Sequence, residues 1–242
     1  MNKHKFIDLV KESNESSQTI KGIFNWCDRW CERCGQTKHC TVFMSTSHLP
    51  SGTQEEVFES LAMIFEATID MLKEYAEEND IDIDAYENTE IEDDYEKMRE
   101  TISNDSGVIL ARQYGVQVKQ WLDSLEANNH FEIELIERDP MLSECLEVIQ
   151  WYQHLIEVKM IRALMSKKDE ERKQMDMYDS IGNAKLLLVS IKRNIGAWGY
   201  LLQKFKDDED EILDILVCLQ KLNKRIEQIF PEAQSFIRPG LD

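Results

Sequence analysis

Asp207-Asp-Glu-Asp-Glu-Ile-Leu-Asp-Ile-Leu-Val-Cys-Leu-Gln-Lys-Leu-Asn-Lys-Arg-Ile-Glu-Gln-Ile-Phe-Pro231 is the stretch whose reading decides the fold. Ile212, Ile215, Leu219, Leu222, Ile226 and Ile229 recur at spacings of three and four, which places them on one face of an α-helix. Asp207 to Glu211 make the first turn acidic, and Lys221, Lys224 and Arg225 lie towards the other end. Each sign sits where the helix macrodipole favours it. Pro231 lacks an N–H and stops the helix.

The same period recurs four times upstream. Phe58, Leu61, Phe65, Thr68, Leu72 and Tyr75 form one stripe after Ser51-Gly52-Thr53. Val108, Ala111, Gly115, Val118, Leu122 and Leu125 form a second. Cys145, Ile149, Tyr152, Ile156, Met160 and Ala163 form a third, opening after Asp139-Pro140. Ile181, Ala184, Leu188, Ile191, Ile195, Trp198, Leu202 and Phe205 form the fourth. Stripes of this width pack against one another at shallow angles. The sequence therefore predicts an all-α fold. Residues 51–242 form an antiparallel helical bundle, and residues 1–50 form a cysteine-rich metal-binding segment packed on it. The nearest approach to strand-like alternation, His130 to Leu135, is short. Gly196 and Gly199 each cost about 1 kcal/mol in a helix interior, so a tight helix crossing is expected beside Trp198.

Charge narrows the function classes. Lys and Arg total 28 and Asp and Glu total 47, a formal net charge of −19. Phosphates are repelled by such a chain, so no nucleic-acid or membrane-surface partner is expected. No apolar run approaches the roughly 20 residues of a membrane span. The first residues form no apolar leader, so the expected location is cytoplasmic. The sequence has no phosphate loop, dinucleotide fingerprint, nucleophile elbow or His-Glu-x-x-His motif, and it names no reaction or substrate. Residues 77–96 hold eleven Asp or Glu and no Lys or Arg; this run reads as a solvated acidic loop, with a basic protein partner as one use for it. Asp80, Asp82 and Asp84 have the spacing that opens an EF-hand, but Ala85 and Ile91 stand where that loop needs Gly and Glu.

Chemistry concentrates in Trp26-Cys27-Asp28-Arg29-Trp30-Cys31-Glu32-Arg33-Cys34-Gly35-Gln36-Thr37-Lys38-His39-Cys40. Its spacing is Cys-x3-Cys-x2-Cys-x5-Cys. In a reducing compartment such clustered thiols are metal ligands rather than disulfides. A helix reaching Gly35 places Cys27, Cys31 and Cys34 on one face, and Cys40 folds back to complete four soft donors. Four thiolates neutralise the irons of a [4Fe–4S] cluster or a Zn²⁺ ion. The contiguous run favours the cluster, since structural zinc usually takes two separated pairs. His39 is an alternative to Cys40, with His48 more remote. Trp26 and Trp30 flank the thiols, either to shield a metal or as plain core. Cys145 and Cys218 fall on or beside apolar stripes and read as core.

The Cys31-x2-Cys34-x5-Cys40 portion resembles the [4Fe–4S] loop of endonuclease III-type glycosylases and the three-cysteine lobe of some iron–sulfur nucleases. The resemblance covers this loop alone and implies a cluster, with no enzymatic role carried over. Cys27-x3-Cys31-x2-Cys34 also matches the radical-SAM triplet, a family that needs a βα barrel and leaves one iron open. The rest of the chain is similar to bacterial helical proteins that imply no activity.

Inside the helices, Glu59, Glu66 and Asp70 share one face, and Glu147, His154 and Glu157 another. No Glu-x-x-His accompanies them, so wet helix faces are expected rather than a di-metal site. Lys159 and Arg162 stand among apolar neighbours, which calls for buried ion pairs with Glu66 or Asp70 as candidates, an anion-binding pocket, or side chains that snorkel to solvent. His154 is expected as a core histidine, and the apolar end of residues 236–242 as a segment that docks on the bundle. The resulting expectation is a metal-binding helical protein with a binding or regulatory role. An iron–sulfur redox protein or enzyme and a zinc-stapled interaction module remain as alternatives.

Overall fold

Helices make up the regular secondary structure of the computed structural model, which describes residues 2–47, 52–82, 91–127, 138–173 and 178–242, and no strand occurs among them. The all-α expectation holds. Among the described residues, no helix is long and apolar enough to cross a membrane. Contacts divide the chain into two units, residues 1–94 with 238–242, and residues 95–237. The division falls elsewhere than at residue 51, because the helix after it packs on the first helix of the chain.

In the first unit, α1 (Lys3–Glu15) opens on Asn2, whose side chain accepts from the Lys5 N–H. Three 3₁₀ turns follow at Ile23–Asn25, Cys31–Arg33 and Thr37–His39, and then a short α2 (Thr41–Thr46). α3 (Gln54–Glu78) begins with a capping box in which Thr53 and Glu56 satisfy each other's backbone N–H. At its far end Asp80 takes a left-handed φ of 53° and the Ile81 N–H reaches the Ala76 carbonyl at 2.9 Å, the six-to-one bond of a Schellman ending. α1 and α3 pack together. Lys3 pairs with Asp70 and Lys11 with Glu74, both at 2.7 Å. Residues 83–90 of the acidic run, Asp84 included, lie outside the described residues.

Most of α4 (Ile91–Ser103) and all of α5 (Ser106–Ala127) belong to the second unit, with α6 (Pro140–Lys173), α7 (Tyr178–Lys204) and α8 (Glu209–Ile229). Here α5 packs on α6 and α8, and α7 packs on α6 and α8, which closes a ring of four. Side-chain pairs fix the directions. Arg112 of α5 meets Glu157 of α6 at 2.9 Å, and Gly115 receives the Gln153 amide at 3.0 Å. Asp105 at the start of α5 meets Arg225 near the end of α8 at 2.8 Å. Asp139 at the start of α6 meets Lys204 at the end of α7 at 2.6 Å. Neighbours therefore run antiparallel, as the apolar stripes predict.

The core of this unit contains Tyr114, Ile149, Tyr152, Ile156, Trp198 and Leu219, all fully buried. Trp121 meets Trp198 edge-on, with centroids 5.0 Å apart. Two polar side chains inside are linked: the Tyr114 hydroxyl donates to Asn194 at 2.6 Å, and the Asn194 amide donates to the Ser190 carbonyl at 2.9 Å. Four expectations are corrected here. A Cβ at Gly196 or Gly199 would meet nothing within 4 Å among the described residues, so these glycines mark no tight crossing; at Gly107 of α5, by contrast, a Cβ would run into the Met160 side chain of α6. Arg162 pairs with Asp179 at 2.9 Å and Lys159 donates to Asn183 at 3.2 Å, because α7 lies directly alongside. His154 is exposed, since the α6 face towards the core runs through Tyr152, Ile156 and Met160. Residues 238–242 fold with the first unit.

Candidate metal centre

Cys27, Cys31, Cys34 and Cys40 are all half-buried free thiols. The segment holding them is not an α-helix: short 3₁₀ turns alternate with extended residues. Cys31 opens the turn Cys31–Arg33, and Cys34 ends it with its N–H on the Cys31 carbonyl at 3.1 Å. Cys40 ends the next turn, its N–H 3.3 Å from the Thr37 carbonyl. Arg29 holds a left-handed φ of 61°, an outlier for a non-glycine residue that marks a constrained bend. This bend turns the chain between Cys27 and Cys31, so the four cysteines line one pocket. Among the described residues, no three His, Cys, Asp or Glu side chains stand in metal-holding geometry. The thiols share a pocket wall without converging on one point.

The pocket is otherwise largely apolar, with Ile23, Phe24, Trp30, Phe43 and Leu241 around the sulfurs. Burial pushes the Cys27 thiol up, while the Arg29 backbone N–H and guanidinium pull it down. Burial raises Cys31 as well, followed by the proximity of Cys27, Cys40 and Cys34. Four sulfurs so close resist ionising together unless a cation offsets their charge. Backbone donors already face two of them, Arg29 at Cys27 and the Gln36 N–H at Cys34, 3.4 Å away. Such N–H groups stabilise thiolate and tune a bound metal. The donor set and its dry walls therefore suit a thiophilic metal.

Other candidates fall away. His39 binds the Gln18 carbonyl through Nδ1 at 2.7 Å and is not part of the pocket wall. His48 lies outside the described residues. Trp30 lines the pocket and carries the Arg33 guanidinium on its ring at 4.0 Å, whereas Trp26 does not line it. Glu59, Glu66, Glu147 and His154 are exposed, and Glu157 pairs with Arg112. Cys145 and Cys218 are buried, and Cys218 donates to the Leu110 carbonyl at 3.4 Å.

Sequence reading missed Leu241. The segment that carries it is held by Arg238, which is buried and clasps Asp242 through Nη2 at 2.6 Å. Gly240, at φ 73°, lies against Ile20 where a Cβ would come within 2.5 Å of the Ile20 side chain. The apolar residue between charges in Arg238-Pro239-Gly240-Leu241-Asp242 was the available signal. Compared with protein-family models, curated proteins and solved structures, the chain matches none.

Proposed function

We propose that this is a metal–thiolate helical protein with a binding or regulatory role, in which Cys27, Cys31, Cys34 and Cys40 hold a [4Fe–4S] cluster. The observation that carries this reading is the gathering of all four cysteines on one apolar-walled pocket, although no helix aligns them. Closing the site requires deprotonation and rotation of the side chains towards a common centre. Thiolate ligation would then tie the 3₁₀ turns together and couple metal supply to the folding of this segment. The contiguous ligand run supports a cluster, and a reducing compartment such as the cytoplasm suits it. Among the described residues no catalytic constellation accompanies the pocket, which favours binding or regulation over catalysis.

Zinc is the second reading, favoured by one observation: the pocket that the cysteines line has a void of about 20 Å³, room for a single ion-sized guest. The deciding experiment is iron, zinc and acid-labile sulfide analysis, with a visible spectrum, on protein purified without oxygen. Iron with sulfide, and absorbance lost on Cys31→Ser, supports the cluster. Stoichiometric zinc replaces the cluster with a structural zinc staple. Protein that binds neither overturns the metal reading.

A further inference from the structure

α3 carries a second apolar face that α1 leaves free. Fully buried Ala67 and, three and seven residues further on, the ion pairs of Asp70 and Glu74 mark the side turned to α1. Nearly opposite, Phe58, Leu61, Phe65, Thr68, Leu72 and Tyr75 repeat at spacings of three and four. The first stripe of the sequence is thus exposed: Phe58 by 62%, Phe65 by 67%, Leu72 by 58% and Tyr75 by 58%. An apolar stripe this long on a helix surface marks an interaction site.

Charge decides what kind of partner fits. The positions flanking the seam are Val57, Ala62, Ile64, Ile69, Met71 and Ala76, with no charge among them. Glu59, Glu66, Asp70 and Glu77 project from other sides of the helix. A basic or acidic partner finds nothing to read here, whereas a second identical face complements it fully. We propose that this face docks on the same face of a second copy of the chain, with the two α3 helices antiparallel.

Antiparallel alignment places Phe58 opposite Tyr75, Leu61 opposite Leu72, and Phe65 opposite Thr68. Each bulky ring of the central layers then meets the small Thr68, and each helix start lies beside the other's end, as the dipoles favour. Parallel alignment would instead stack Phe65 on its own copy and bury Thr68 against Thr68. The exposed parts of the six seam residues amount to roughly 600 Å² per copy, which when fully covered reaches the ~1,200 Å² total at the lower end of specific interfaces. A two-fold axis closes such a contact at two copies.

Sedimentation equilibrium of the full chain under reducing conditions tests this. The expected mass is twice 28.4 kDa, falling to one copy in Phe65→Asp with helical circular dichroism kept, and staying at two copies in the off-seam control Glu59→Gln. A second measurement works without disturbing the seam: p-benzoylphenylalanine at position 58 should cross-link, on irradiation, to the Tyr75 region of another copy. A single-copy mass at all concentrations overturns the proposal, as does a dimer untouched by Phe65→Asp. Cross-links from position 58 that run only within one chain also overturn it and assign the face to the chain's own helices.

Discussion

The Arg238 guanidinium donates to the backbone carbonyl of Trp26 across 3.3 Å, joining residues 212 positions apart. The same guanidinium binds both oxygens of Asp242, and the Arg238 N–H adds a bond to that carboxylate at 2.9 Å. Arg238 thus fixes Leu241 against the pocket that the cysteines line.

Replacing Arg238 with Lys keeps the charge but loses the planar fork. Hydrogen bonds to charged groups contribute about 1.5–3 kcal/mol each, so the segment should open more often. The rate at which Cys27 reacts with a thiol reagent should rise ~10-fold or more. Gly240→Ala, which forces a Cβ into Ile20, should act in the same direction, while the melting of residues 95–237 changes little. Unaltered thiol reactivity in both variants would show that the segment does not guard the pocket.

Tyr114→Phe removes the hydroxyl that donates to Asn194 in the core of the second unit. The ring stays, so no cavity forms, but the Asn194 oxygen loses its donor. The expected cost is about 1–3 kcal/mol, read as a lower urea midpoint with an unchanged slope.

Asp139 is held below the usual carboxylate range, first by Lys204 and then by the Tyr200 hydroxyl. A lowered folded pKa contributes stability that is present above the unfolded value, about 3.9, and is lost as pH falls through the folded one. Lys204 is raised by the same pair; its contribution is present below about 10.4 and is lost as pH rises through its folded value. The stability gap between wild type and Asp139→Asn should therefore be flat near neutrality and narrow at both extremes. A gap that stays constant down to pH ~2 would mean that the pair contributes no linked stability. The melting temperature measured against pH decides.

Gly196→Ala and Gly199→Ala should each stabilise α7 by about 0.5–1 kcal/mol, because a Cβ meets nothing there. Thermal or urea unfolding of the two variants reads the gain directly. Destabilisation would reveal a neighbour at these positions in the working protein, the tight crossing that the sequence suggests.

Apolar periodicity made the helices legible, since each long stripe falls on a helix. It located the buried faces unevenly. The stripe of α8 is buried along Ile212, Ile215, Leu219, Leu222 and Ile226. The buried side of α7 instead includes Ser190 and Asn194; their hydrogen bonds make them core residues, and a count of apolar residues passes over them. The α3 stripe has the same spacing as the others yet is exposed, because periodicity shows that a face is apolar and not what covers it. At the candidate site the cysteines declared themselves by chemistry. Their gathering on one pocket wall depends on the left-handed bend at Arg29, and Leu241 arrives from far along the chain to complete that wall; neither leaves a local pattern.

That distant arrival has a consequence for how the protein is made. The cysteines leave the ribosome early, but the pocket gains its Leu241 wall only after residue 241 is synthesised. During that interval the thiols lack this wall and stand open to oxidants and other thiol-reactive species. Once Arg238 has fixed Leu241 against the pocket, any reagent that is to reach the thiols past that wall requires the segment to let go.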